Sequence, residues 1–164
     1  ERKGARRDHL TDLVGRELAA NGGRAVFGFF SDLEEFVSEN EANEKMKPYV
    51  EPLGVSLGHL QQATMWFMNN AMKNPDNAGA GANDYMHLFG LVALGLMWGR
   101  MVKAANEKLA SGASGNGGLD PQALKNKLIV GKFFVERMLP ETAVQLKRIE
   151  AGSGSVMELA MEGF

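Results

Sequence analysis

Gly81-Ala-Asn-Asp-Tyr-Met-His-Leu-Phe-Gly90 opens the stretch whose reading decides the fold. Asn83 or Asp84 can cap a helix start, and the helix then runs through Leu88, Phe89, Val92 and Trp98 to Arg100 and Lys103. From Leu88 to Gly99 this helix is uncharged and largely apolar, but the run is 12 residues long and is bounded by Asp84 and Arg100. Crossing a bilayer takes about 20 apolar residues, so the expectation is a buried core helix and no transmembrane segment. Gly95-x-x-x-Gly99, with Gly54-x-x-x-Gly58 upstream, predicts tight helix crossing.

Outward from that helix, helical periodicity continues in both directions. Downstream, the Gly/Ser run Ser111–Gly118 is a linker, and Asp120-Pro121 is a start signal made of a capping carboxylate followed by proline at the first helical position. The helix it starts carries Lys127-Leu-Ile-Val-Gly-Lys-Phe-Phe-Val-Glu-Arg-Met-Leu-Pro140, with a kink expected at Pro140 and continuation from Glu141 to about Ala151. Ser155–Met161 can add a short helix. Upstream, a helix is expected over Asp8–Ala20 on Leu10, Leu13, Val14 and Leu18, ended by Asn21-Gly22-Gly23. Another runs from Arg24 to about Asn40, with Val26, Phe27, Phe30, Leu33 and Val37 as its apolar face. Pro48 and Pro52 suit the first turn of a third, whose apolar side is Leu53, Leu57, Leu60, Thr64, Phe67, Met68 and Ala71, stopped by Asn74-Pro75. No segment alternates with period two. The expected fold is all-α: an antiparallel bundle of about five main helices, one kinked at Pro140, forming a single domain over residues 1–164.

Composition narrows function. The 164 residues carry 18 basic and 20 acidic side chains, a formal net charge of −2, which gives no reason to expect nucleic acid as a partner. Cysteine is absent, so disulfides, thiolate catalysis and sulfur-based zinc sites are excluded. The charged start, Glu1 to Asp8, leads into no secretory signal, and a cytoplasmic location is expected.

Constellations that carry chemistry are sparse. His9, His59 and His87 fall on three helices; Asp84-x-x-His87 has the spacing of half a bundle di-iron site but lacks its counterpart. No serine lies in a Gly-x-Ser-x-Gly elbow, and neither a dinucleotide fingerprint nor a P-loop is present. Gly22-Gly23-Arg24 reads as a turn with a solvated cation. No catalytic, cofactor-binding or metal-ligating residue is therefore assigned. The acidic run Glu34, Glu35, Glu39, Glu41 and Glu44 and the basic run Lys125, Lys127 and Lys132 read as solvated faces. Arg16 and Arg100 each follow a glycine inside an apolar helix, where a structural salt bridge is expected. Met65-Trp66-Phe67-Met68 and Met97-Trp98 with Met101 are wider than one helix face needs, so part of them should face something beyond the bundle.

The order of these motifs resembles the helical domain that some acyl-CoA dehydrogenases carry after their flavin-binding core: a Tyr-x-x-Leu-Phe-Gly helix (Tyr85–Gly90), a variable loop, then a Lys-rich helix reaching Phe-x-x-x-x-x-Leu-Pro140. Asp12-Leu-Val-Gly-Arg-Glu-Leu18 and Gly22-Gly23 resemble the joint between core and domain. His87, where the pattern usually has Arg or a bulkier residue, and the glycine-rich linker depart from it. The resemblance implies a parent flavoprotein of fatty acid metabolism that uses FAD and a glutamate base to take the α-proton and β-hydride from an acyl-CoA. Its electrons pass to an electron-transfer flavoprotein, and it is a homo-oligomer. The catalytic motifs belong to the core, so the part present here implies packing, oligomerisation or shaping of the substrate entrance. The alternative is a free-standing helical module that binds a protein or an apolar ligand through its Met/Trp-rich face.

Overall fold

The computed structural model describes residues 23–71, 73–112 and 120–158, and the helix expected over residues 8–20 lies outside them. The described residues form helices joined by turns, with no strand among them. They are α1 (Arg24–Asn40), α2 (Lys47–Asn70), α3 (Pro75–Ala110), α4 (Pro121–Phe133), a wide π turn (Phe134–Met138), α5 (Glu141–Glu150) and the short α6 (Gly154–Met157). Successive helices run antiparallel, and α4, the π turn and α5 make one long pass back along α3. Gly95 of α3 accordingly meets Leu53 of α2 and Leu139 at the end of that pass. The all-α antiparallel bundle expected from periodicity is the fold observed.

Local chemistry sets the helix starts. Gly23, at the N-cap position of α1, has a left-handed φ of 73° that favours glycine. The Asn74 side chain accepts from the Asp76 N–H at 3.1 Å, and Pro75 occupies the first position of α3. Asp120 does the same for α4, accepting from the Gln122 N–H at 3.0 Å. Asn74-Pro75 therefore does not merely stop α2 but starts α3, about eight residues before the expected Asn83 or Asp84. The early turns look like a loop because Ala78, Gly79, Gly81 and Ala82 are small. Ala78, Gly81 and Ala82 are in fact buried, and an added Cβ on Gly81 would sit 2.7 Å from Phe67 Cζ. With 36 residues, α3 is about 54 Å long and, by length and composition alone, long and apolar enough to cross a membrane. The short uncharged run alone thus understates it. Leu88, Val92, Leu96 and Val102, all buried against neighbouring helices, make it the bundle's central helix.

The core takes Phe30, Leu33 and Phe36 from α1; Val50, Leu53, Leu57, Leu60 and Phe67 from α2; and Phe134, Val135, Leu139, Leu146 and Ile149 from the returning pass. Two side chains depart from the expected faces. Phe27 of α1 is 40% exposed while Phe36 is buried, and Met68 of α2 is exposed. The cause is that α1 lies at the edge and contacts α2 through a narrower stripe than its apolar content allows. The kink also has a different form. Pro140 offers no N–H to the Glu136 carbonyl, and the ladder loosens before it, the Leu139 N–H reaching back to Phe134 O at 3.0 Å. Pro140 stands at the N-cap position of α5, without a side-chain capping bond.

Polar bonds tie the layers. Thr64 Oγ1 donates to Leu60 O at 2.8 Å, so the Tyr85 hydroxyl, 2.8 Å away, is the donor to Thr64. Burial pushes the Tyr85 phenol up to about 12, which keeps that proton in place. At the far end, Asn77 Oδ1 accepts both the Ser153 N–H at 3.0 Å and the Ser153 hydroxyl at 2.9 Å, holding the exit of α5 against the start of α3.

Close crossing is observed at Gly95 and Gly99, where an added Cβ would lie 2.9 Å from Leu53 Cδ1 and 2.7 Å from Phe36 Cε1. It is not observed at Gly58, which faces open space. Gly95→Leu should lower stability by about 2 kcal/mol or more through overpacking, a fall of ~4–8 °C in thermal midpoint. Gly58→Ala should be neutral or stabilising by up to about 1 kcal/mol, from helix propensity. Thermal melts of the two variants check the contrast; equal effects would refute the close-crossing assignment.

Candidate functional site

Three places bring chemistry-bearing side chains together. The first is an open groove of about 410 Å³ between α1 and α3, lined by Asp32, Glu35, Phe36, Glu39, Arg100, Lys103, Ala104 and Glu107. The spacing of 32, 35 and 39 puts three carboxylates on the α3-facing side of α1. Glu34 turns the other way and accepts from Gln61 Nε2 of α2 at 2.7 Å. The acidic run is thus split between two faces rather than uniformly solvated. Lys103 lies 3.9 Å from Glu39 Oε2 and 5.9 Å from the centre of the Phe36 ring. Arg100 is exposed and makes no ion pair among the described residues, contrary to the expected salt bridge; Arg16 lies outside them. Gly99 explains the difference, because it buries one side of the helix against Phe36 while Arg100 projects from the next position towards solvent. Four carboxylates against two cations leave the groove acidic, the wrong sign for the pyrophosphate of FAD or the phosphates of coenzyme A.

The second place is a polar junction between α2 and α5. Ser56 donates to Pro52 O at 2.9 Å and Thr142 to Leu139 O at 2.8 Å. With those protons committed, His59 Nδ1, 3.0 Å from Thr142 Oγ1, carries its own proton and donates. No histidine–serine bond is present to activate Ser56, so the junction locks two helices together and is not a nucleophile. Burial holds the His59 imidazole below its ordinary value.

The third place is the outer face of α3. Met86, Leu94, Met97 and Met101 point to solvent, as do Met65 and Met68 on α2. The expected excess of apolar side chains is therefore present. The tryptophans are the inner members: Trp66 meets Phe67 edge-on at 5.3 Å, and Trp98 stacks on Phe134 at 6.4 Å. Lys127 lies over Trp98 at 5.7 Å, and Lys132 pairs with Glu136 at 3.7 Å, so two of the three basic residues of α4 have local partners.

Asp84 and His87 do not form a site. Asp84 faces Arg148 of α5 at 3.6 Å and His87 is exposed. Among the described residues no group of three or more His, Asp or Glu side chains is arranged to hold a metal ion. Gly23 has the positive φ that a turn uses and Arg24 is exposed, while Gly22 and His9 lie outside the described residues.

At these places polar groups tie helices together and an apolar excess faces outward. The sequence profile described as Acetyl-CoA dehydrogenase C-terminal like matches residues 29–160. The chain belongs to that family. Comparison with curated protein sequences finds no match.

His59 makes stability pH-dependent in a predictable sense. Its folded-state value is depressed below the unfolded one near 6.5, so the unfolded chain binds more protons as pH falls through that window. The contribution is present in full above the unfolded value and is lost as pH falls through the folded one. The thermal midpoint should drop as pH is lowered from above about 6.5 to below it, and the drop should be smaller in His59→Gln. Melts of both proteins across that range check it; an unchanged slope in the variant would remove His59 as the cause.

Proposed function

We propose that this chain is the C-terminal helical domain of an FAD-dependent acyl-CoA dehydrogenase that forms the α,β double bond of acyl-CoA thioesters and passes its electrons to an electron-transfer flavoprotein. The observation that carries the reading is the family match over residues 29–160. In this reading FAD and acyl-CoA bind upstream of the domain. The acidic α1–α3 groove supports that division, since its carboxylates would repel both phosphate-bearing molecules. The domain packs on the dehydrogenase core of the same polypeptide, in the cytoplasm, and contributes to its homo-oligomer or to the shape of its substrate entrance. Exposed Met65, Met68, Met97 and Met101 support a packing role, because methionine adapts to partner surfaces.

The same outward methionines favour one other reading, a free-standing helical module that binds a protein or apolar ligand there. Intact mass and visible absorption of the native protein containing this sequence separate the two. The expected result is a mass several times 17.8 kDa and an oxidised-flavin band that bleaches on addition of an acyl-CoA. A mass near 17.8 kDa without flavin would overturn the dehydrogenase assignment and leave the module.

A further inference from the structure

The outer side of α4 is apolar and uncovered, and we propose that a second copy of this chain covers it. The two α4 helices pair antiparallel, with Ile129 of each copy against Phe133 of the other. This surface is separate from the outward methionines of α2 and α3, so it does not compete with whatever packs on them. It is a face by which the domain can enter a homo-oligomer, and it stands on α4 alone, without the dehydrogenase reading.

The helix is apolar on two sides. Leu124, Gly131, Phe134 and Val135 are buried against the bundle, whereas Ile129 is 66%, Val130 45% and Phe133 58% exposed. A helix at a water-facing surface ordinarily carries one apolar stripe with polar residues opposite it, and an apolar surface all round belongs to a helix that is covered. From Leu128 to Val135 the only charged residue is Lys132, which pairs with Glu136 at 3.7 Å. Asn126, Ile129 and Phe133 follow one another at spacings of three and four, the spacing of a seam between paired helices. The polar start of that seam is satisfied locally, Gln122 Nε2 donating to Asn126 Oδ1 at 3.0 Å.

Charge selects both the occupant and its direction. Lys125 lies four residues before Ile129, and Glu136 lies three after Phe133. When Ile129 stands opposite Phe133 of an antiparallel copy, Lys125 comes level with that copy's Glu136. The two-fold axis then forms the same pair a second time, so each copy offers what the other needs. Lys125 is exposed and has no ion pair among the described residues. A parallel pair would instead set Lys125 on Lys125 and Lys132 on Lys132, and like charges facing each other disfavour it. Lys127 is turned onto Trp98 of α3 at 5.7 Å and leaves the seam free. One helix seam is smaller than the ~800 Å² per partner of a standard interface, so the pair is weak in the free chain and is best read by trapping it.

The chain has no cysteine, so single introduced cysteines report contact between copies without background. Full chains carrying Ile129→Cys and Phe133→Cys are mixed in equal amounts and oxidised slowly. A chain carrying Val55→Cys, at a position 62% exposed on α2, gives the rate of chance collision. All three positions are on the surface, and circular dichroism checks that each variant keeps its helix content. The expected product is a mixed disulfide between positions 129 and 133 of two chains, identified by peptide mass and formed at least tenfold faster than the Val55→Cys pair. Like pairs should lag several-fold, because the antiparallel register sets them about 6 Å apart along the helix. Lys125→Glu in both chains should slow the mixed product several-fold, and adding Glu136→Lys should restore it. A mixed product no faster than the Val55→Cys pair would overturn the proposal. So would like pairs forming fastest, which would make the helices parallel. Neither readout involves flavin or the mass of the native protein, so this pairing and the dehydrogenase assignment fail separately.

Discussion

The bundle depends on how closely α3 can be approached. Gly81, Gly95 and Gly99 each present bare backbone to a large side chain: Phe67, Leu53 with Leu139, and Phe36 in turn. On α4, Gly131 does the same for Val102 of α3. A glycine inside a helix costs about 1 kcal/mol of propensity, whereas fully burying a leucine or phenylalanine side chain contributes ~1.5–3 kcal/mol. Each crossing is therefore favourable only because a bulky residue fills the space the glycine leaves. The two must be kept together, since filling both overpacks the crossing and emptying both leaves a cavity. Three of these crossings occur on one helix, which makes α3 the axis on which α1, α2 and the returning pass are placed.

Much of this was legible in the sequence where one residue type has one dominant physical role. Asp120-Pro121 starts a helix because the carboxylate satisfies a free N–H and the proline lacks one to satisfy. Gly95 and Gly99 pointed to close crossing, and do cross closely. The readings that differ are those in which a residue has two roles and tertiary contacts decide between them. Pro75 follows a helix and also suits the first position of the next; only the burial of Ala78, Gly81 and Ala82 shows that the second role operates. Phe27 and Phe36 are equally apolar, but α1 is an edge helix and can bury only the rings that reach α2 and α3. At Pro140 the sequence announces a lost hydrogen bond but not where the ladder absorbs it, which turns out to be the π turn from Phe134 to Met138.

The candidate sites were less legible than the fold, for a related reason. Periodicity reports which side of a helix is apolar and is silent on which other helix a charged side faces. Asp32, Glu35 and Glu39 become a groove only because α3 lies beside them with Arg100 and Lys103, whereas Glu34, one turn position away, is taken up by Gln61 of α2. His59 likewise becomes a helix-locking donor only because Thr142 arrives from a segment more than 80 residues later. The outward methionines were visible as an excess of apolar residues, yet their division between α2 and α3 was not.

A domain so arranged has its polar chemistry spent internally. Thr64 with Tyr85, His59 with Thr142, and Asn77 with Ser153 each join two helices, and each donor among them has an acceptor inside the bundle. What remains for an outside partner is of another kind: soft apolar side chains along α3 and α2, and unevenly signed charge beside them. Apolar contact supplies affinity without selecting a partner, while the excess of carboxylates in the groove selects by sign and disfavours anything carrying phosphates. The glycine crossings of α3 hold that outer face in one geometry, because each stretch of bare backbone is filled by a bulky side chain that cannot shift without overpacking or opening a cavity.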